Sequence, residues 1–229
     1  MKMKLNNMTK ERKRMLISIS VFYAIAVAIR AAAMQINPPS TVGFMFLLRG
    51  WAEGLGPCIG ALVAVIMFGR KFFCSISGKS LVKSVISVAI PFCICAVLDW
   101  KLSFMLLGFI FYSFLEEVGW RGYLQGELGD KSELVSSLII GSMWFFWHLR
   151  FHLSLGSLIF LLILVLGSWG IGRIAKDTHS LMACACFHTL YNFSTHGFFQ
   201  FTPAVICIYV AVVVSWFVVW YTPWARIFP

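Results

Sequence analysis

Three clusters of polar residues interrupt runs otherwise built for lipid. They are Glu116-Glu117-Val118-Gly119-Trp120-Arg121, which follows the apolar stretch Met105 to Phe114, then Trp144-Phe145-Phe146-Trp147-His148, and His188-Thr189-Leu190-Tyr191-Asn192. A charge at mid-membrane costs about 2.5–3.5 kcal/mol on insertion scales, so each needs a partner or a purpose. Helical spacing divides the first cluster. Glu117 and Arg121 lie four apart with the acid first, so they share a face and can neutralise each other. Glu116 is turned about 100° away, toward Tyr112, Ser113 and Trp120, none of them cationic. A carboxylate with no cation beside it is open to taking a proton from water, as a general base does. The bland alternative is a Glu116 held neutral by hydrogen bonds from another helix.

The two histidine clusters bear on that choice. A lone histidine on an apolar helix is more often structural, but depth links these residues. At 1.5 Å per residue, Glu116, His148 and His188 lie roughly 18, 21 and 14 Å from the cytoplasmic ends of their predicted spans, with Asn192 on the His188 face and somewhat deeper. Three helices can therefore present a carboxylate, two imidazoles and an amide around one wet pocket. His152 and His196, each four residues beyond a site residue, read as interfacial.

The elements that must carry these residues follow from composition. The chain has 229 residues, 60% hydrophobic and 12% charged, with mean hydropathy +0.85. That excludes an ordinary soluble domain, of which about a quarter is charged. The expected fold is all-α: a polytopic membrane helix bundle, one transmembrane domain over 1–229, with about eight spans near 15–33, 43–69, 84–100, 102–128, 134–155, 157–174, 179–199 and 203–222. Pro38-Pro39, Gly78, Gly129-Asp130 and Pro203 punctuate the connections. An even count places both termini in the cytoplasm, and the first span reads as a retained signal anchor.

The net charge of +10 comes from position rather than nucleic-acid binding. Residues 1–14 form a basic cytoplasmic segment, and of 19 Lys and Arg only Arg30, Arg49, Lys101 and Arg150 fall in outer halves or loops. Seven cysteines, mostly inside apolar runs, read as small buried hydrophobes. Cys93/Cys95 and Cys184/Cys186 cannot converge on one ion, because residues two apart on a helix point about 200° apart. Gly50, Gly54, Gly56 and Gly60 give small-xxx-small spacing twice, and Pro57 predicts a kink. Arg49 and Glu53, four apart, read as a structural ion pair near the outer interface.

Together the three clusters resemble the CPBP or Abi family of intramembrane proteases, which includes CAAX endopeptidases and bacteriocin-processing enzymes. The family pattern reads here as Glu116-Glu117-xxx-Arg121, Trp144-xxx-His148 and His188-xxx-Asn192, over a core of about 43–200. Trp144 stands where the family usually has Phe, a departure expected to alter packing more than chemistry. The resemblance implies peptide-bond hydrolysis without an acyl-enzyme. Glu116 would activate water with help from His148, His188 and Asn192 would stabilise the oxyanion, and Glu117 and Arg121 would hold the helix and its local field. Zinc on Glu116, His148 and His188 is the other version. The His-Glu-xx-His helix of common zinc proteases is absent, and the carboxylate scheme already uses every residue, so a mechanism without metal or other cofactor is favoured.

The expected partners are membrane lipid and a peptide or lipidated protein substrate, with no nucleic acid. The expected location is the cell membrane of a prokaryote, and peptide processing is preferred over CAAX-type cleavage. Two other classes compete: a non-proteolytic immunity or scaffold protein of the same fold, and a proton-coupled transporter. The transporter calls for a fuller polar path through both halves of the membrane, and no inverted repeat is visible.

Overall fold

A computed structural model describes residues 2–36, 44–150, 152–195 and 202–222. Pro38-Pro39 and His196 lie outside them. Among the described residues eight helical rods follow one another: α1 (Lys2–Ala33), α2 (Phe44–Phe68), α3 (Leu81–Leu98), α4 (Trp100–Glu117), α6 (Glu133–Trp147), α7 (Leu155–Thr178), α8 (Leu181–Thr195) and α9 (Pro203–Tyr221). The fourth rod continues from α4 through a π-helical segment, Val118–Leu124, into a closing turn, α5 (Gln125–Glu127). The stretches Thr9–Ala33, Met45–Phe68, Trp100–Glu127 and Leu155–Thr178 are long and apolar enough to cross a membrane, while Leu81–Val97, Glu133–Trp147 and Val205–Tyr221 are shorter apolar helices.

Local chemistry starts these rods where the sequence supplies a cap. Ser80, Asp99, Ser132, Ser154 and Thr202 each accept a backbone N–H of the following first turn, and Pro203 sits where a missing N–H is harmless.

The glycines of α2 make it a wedge between two neighbours. A Cβ on Gly56 or Gly60 would stand 2.6 Å from the Ala26 carbonyl oxygen or 2.5 Å from that of Phe22, so α1 lies directly against this face. Gly54 does the same for α4, where a Cβ would come within 3.1 Å of Leu115 Cβ. Only small residues allow such approach, which is how membrane helices gain packing without a hydrophobic drive. One residue beyond Gly56, Pro57 inside α2 rests on Gly119 of the π segment.

At the end carrying the basic segment, Arg14 Nη2 donates to the Phe68 carbonyl at 2.8 Å and closes α2. Arg70 Nε meets both Glu127 oxygens at 2.8 and 2.9 Å, and its guanidinium also pairs with Glu11. The Glu127 carboxylate raises the Arg70 pKa above its ordinary value. The connection after α2 crosses this end. Phe73 N donates to the Gly122 carbonyl at 2.7 Å, Ser75 N to His179 O at 3.0 Å, and Leu181 N to Ser75 O at 2.9 Å. The turn between α7 and α8 is thereby fixed to the end of the fourth rod.

Two sequence expectations change. The predicted span 134–155 ends as a helix at Trp147, His148 is its C-cap, and Leu149 takes a positive φ of 53° that turns the chain away. His152 therefore lies exposed in the turn before α7 and shares no helical face with His148. The predicted span 102–128 is also not one regular helix, because the site motif straddles the junction of α4 with the π segment.

Candidate active site

The π segment is where sequence and site meet. Gln125 N donates to the Trp120 carbonyl, five residues back, so one extra residue is accommodated in the turn. Gly119 lets Pro57 dock there, since a Cβ would lie 2.5 Å from Pro57 Cβ and 2.8 Å from its carbonyl oxygen. Gly122 turns its carbonyl outward to Phe73. Such π bulges recur at functional sites, and this one begins immediately after the paired carboxylates.

The two carboxylates then part company. Glu117, 0% exposed, has Arg121 Nε at 3.4 Å from Oε2 and His188 Nδ1 at 2.9 Å from Oε1. Arg121, also 0% exposed, further places its guanidinium carbon 5.3 Å from the centroid of the Trp144 ring. Glu116, 1% exposed, meets no cation in an ion pair among the described residues. Its Oε2 accepts the indole N–H of Trp144 at 2.8 Å and lies 3.4 Å from that of Trp120, while Oε1 has no hydrogen bond.

Both histidines are oriented through one ring nitrogen. His148 Nδ1 lies 2.7 Å from the Trp144 carbonyl oxygen, which can only accept, so Nδ1 carries the proton and Nε2 of the neutral ring offers a lone pair. His188 directs Nδ1 to Glu117, leaving Nε2 for a substrate oxygen when the ring carries its second proton. Trp144 stands between them, its ring centroid 4.8 Å from that of His188 and 6.3 Å from that of His148.

Asn192 joins through the helix that bears the acids: its Nδ2 donates to Ser113 Oγ at 3.2 Å, and Thr189 Oγ1 lies 3.1 Å from the same oxygen. Glu116, Glu117, Arg121, Trp144, His148 and His188 thus form one chain of contacts, while Asn192 bonds to Ser113 on the helix that bears the acids. No hydrogen bond joins Glu116 to His148 among the described residues, and Trp144 is the link. Trp144 was expected to alter packing more than chemistry, yet it donates directly to the carboxylate. Among the described residues no three His, Cys, Asp or Glu side chains gather closely enough to hold a metal ion. His148 and His188 each engage Nδ1 with an oxygen and leave Nε2 open.

Beside this cluster lies a cavity of about 550 Å³ between α7, α8 and α9. Trp144 and His188 line its inner wall, Phe217 and Tyr221 face them, and Arg173 and Asp177 stand toward the basic end. Nothing lies within 4 Å of a Cβ on Gly167 or Gly170, the two glycines that line it from α7. Sequence reading treated Ser113 as a mere neighbour of Glu116. A serine in an apolar run, one turn before the acids, was the available signal.

An Rce1-like domain, described as type II CAAX prenyl endopeptidase Rce1-like, is found at residues 98–194, from α4 to α8. This is the CPBP and CAAX protease family to which the three motifs pointed, and all three fall inside the matched segment. No curated protein matches the chain. With its long apolar helices and this domain, the protein is a multi-pass membrane protein.

Proposed function

We propose that the protein is an intramembrane endopeptidase that hydrolyses a peptide bond in a membrane-associated peptide or a prenylated, CAAX-type protein, using water activated by Glu116 and His148. The observation that carries the reading is the state of Glu116. It is buried, with one oxygen held by two indole N–H groups and the other without a hydrogen bond, beside a cavity walled by Trp144 and His188.

In the reaction, Glu116 takes a proton from water while the water oxygen bonds to the scissile carbonyl carbon. The carbonyl oxygen gains the negative charge. His188 Nε2 and Asn192 are its donors, each worth about 10²–10³ in rate. The C–N bond then breaks as Glu116 returns the proton to the leaving amine. His148, its Nδ1 proton held by a carbonyl, offers Nε2 to the same water. Glu117 and Arg121 orient His188 and balance each other in the apolar interior.

The cavity volume lies in the usual range for sites that engulf small ligands, about 300–1,000 Å³, and its apolar walls suit a lipid chain or hydrophobic side chains. In this reading the eight rods span the cell membrane of a prokaryote with the basic end and both termini in the cytoplasm, and catalysis needs no metal.

The test is cleavage of a farnesylated CAAX-type peptide by purified protein in detergent, after chelation and confirmed absence of metal. Continued cleavage that is abolished by Glu116→Gln is expected. Activity lost on chelation and restored only by zinc overturns the metal-free mechanism. Wild-type cleavage by Glu116→Gln overturns the assignment of the base.

A further inference from the structure

An asparagine can stabilise an oxyanion only with one end of its amide, because the nitrogen donates and the oxygen only accepts. Turned over, Asn192 would aim its oxygen at the developing negative charge and oppose it. Something must therefore decide which end faces α4. Two hydroxyls stand in position to do so, Ser113 on α4 and Thr189 on α8, both 0% exposed and shut off from solvent that could blur their bonding.

The direction of each proton can be followed from a fixed point. Thr189 Oγ1 lies 2.7 Å from the Ala185 carbonyl oxygen, which has no proton to give, so the single Thr189 hydroxyl proton is directed there. Ser113 Oγ is farther from Thr189 Oγ1, at 3.1 Å, and can donate where the carbonyl cannot. That contact is therefore made by the Ser113 proton. Ser113 then has only lone pairs left to offer. Its other neighbour, the Asn192 amide at 3.2 Å, has to be a donor, which sets Nδ2 rather than Oδ1 against Ser113.

Ser113 is also where this wiring meets the acids. It lies three residues before Glu116 and four before Glu117, the two spacings that make helical neighbours, so the amide nitrogen is held within one turn of both carboxylates. His188, the other oxyanion donor, precedes Thr189 directly on α8 and is bonded to Glu117. Each donor of α8 is thus tied to its own group on α4, His188 to a carboxylate and Asn192 to a hydroxyl.

We propose that Ser113 is a positioning residue for the oxyanion donor: with its proton committed to Thr189, it accepts an N–H of Asn192 and so holds the nitrogen side of the amide toward the attacked carbonyl. This rests on the endopeptidase reading above. Ser113 touches neither substrate nor water in this role, and the same commitment of its proton sets it apart from a nucleophile.

The test is steady-state cleavage of a farnesylated CAAX-type peptide by purified protein in detergent, with the melting temperature of each variant recorded. Ser113→Ala is expected to lower kcat by about tenfold or more with KM little changed, a part of the factor of about 10²–10³ that one oxyanion donor supplies. In an Asn192→Ala background, where no amide remains to be aimed, the same change is expected to bring no further loss. Thr189→Val keeps the shape but removes the hydroxyl, which lets the Ser113 proton meet either end of the amide. It is expected to lower kcat with KM little changed, and Thr189→Ser to recover most of that loss. Parent-like kcat in Ser113→Ala overturns the proposal, as does an equal loss from Ser113→Ala in both backgrounds, since its effect would then be independent of Asn192. A lower melting temperature with kcat held also overturns it and assigns the three residues to packing of α4 on α8. Should Ser113→Ala fail to fold, the Thr189 pair decides, and equal kcat in the Val and Ser variants overturns the wiring. The two levels separate cleanly. Parent-like cleavage by Asn192→Ala removes the oxyanion assignment and this inference while leaving Glu116 as the base, whereas a parent protein that cleaves nothing removes the endopeptidase reading as well.

Discussion

Glu116 and Glu117 are consecutive, share one side-chain chemistry and are equally hidden from solvent, yet they occupy opposite kinds of surroundings. Around Glu117 the structure gathers charge: Arg121 on one oxygen and His188 on the other. Around Glu116 it gathers indoles, which hold one oxygen and leave the second without a hydrogen bond. A single residue step on a helix, about 100°, decides which neighbour each carboxylate meets. One surrounding neutralises its carboxylate and builds with it. The other orients its carboxylate without neutralising it, as a base requires. Adjacency in sequence therefore says nothing about shared role.

The largest expected effect breaks the Glu116 side. Glu116→Gln keeps size and hydrogen bonding but cannot take the proton from water, so cleavage of a farnesylated CAAX-type peptide should fall by at least about a hundredfold. Its melting temperature in detergent should stay close to that of the parent protein. A comparable loss of folded protein would erase the contrast, because Glu116 would then be structural like its neighbour.

The Glu117 side should fail in the opposite way. Glu117→Gln leaves Arg121 as an uncompensated buried cation, a change that costs about 3–5 kcal/mol in buried pairs. Yield and thermal stability should drop together with activity. Replacing both residues, as in Glu117→Gln with Arg121→Met, should recover part of the stability without recovering catalysis, since His188 still lacks its carboxylate. A Glu117→Gln protein as stable as the parent would show that the pair is not what balances the interior.

The π segment should give a smaller, steric effect. A methyl on Gly119 would stand 2.5 Å from Pro57 Cβ, a contact that backbone shifts must relieve. Overpacking of this kind costs about 1–3 kcal/mol. Gly119→Ala is therefore expected to lower the melting temperature by several degrees. Gly167→Ala, where nothing lies within 4 Å, should hold or raise it, because alanine favours helix over glycine by about 1 kcal/mol. Equal behaviour of the two would mean that Pro57 does not dock on the π segment as described.

Much of this arrangement could be read in the residues. Hydropathy placed the rods because lipid-facing side chains must be apolar along their length, and the spacing of Glu117 and Arg121 fixed their pairing because both sit on one helix. The readings that failed required contacts between helices. Nothing in Trp144-xxx-His148 tells that the helix stops at Trp147, since that depends on Leu149 turning back in a left-handed conformation. The π segment is equally silent: its glycines permit it, but Pro57 of α2 and Phe73 of the crossing loop hold it. Likewise Glu53 showed its partner four residues away and hid Arg30 on α1. The pairing of His188 with Glu117 rather than Glu116 is a matter of which side of α4 faces α8.

Trp144 gives the finest test, because the family usually places phenylalanine there and this chain does not. Trp144→Phe keeps an aromatic ring against His188 and Arg121 and removes one N–H from Glu116 Oε2, leaving the longer contact from Trp120 at 3.4 Å. A single hydrogen bond to a charged group is worth about 1.5–3 kcal/mol, and the remaining donor recovers part of it. The expected result is a kcat lower by about tenfold with KM little changed, since phenylalanine keeps an aromatic ring in the cavity wall while the lost N–H was bonded to Glu116. A melting temperature that drops while kcat holds would return Trp144 to the packing role that its ring alone implied. A fall in kcat with KM and stability held would make the indole the device that aims Glu116, and the difference between the adjacent carboxylates would then extend to how each is held.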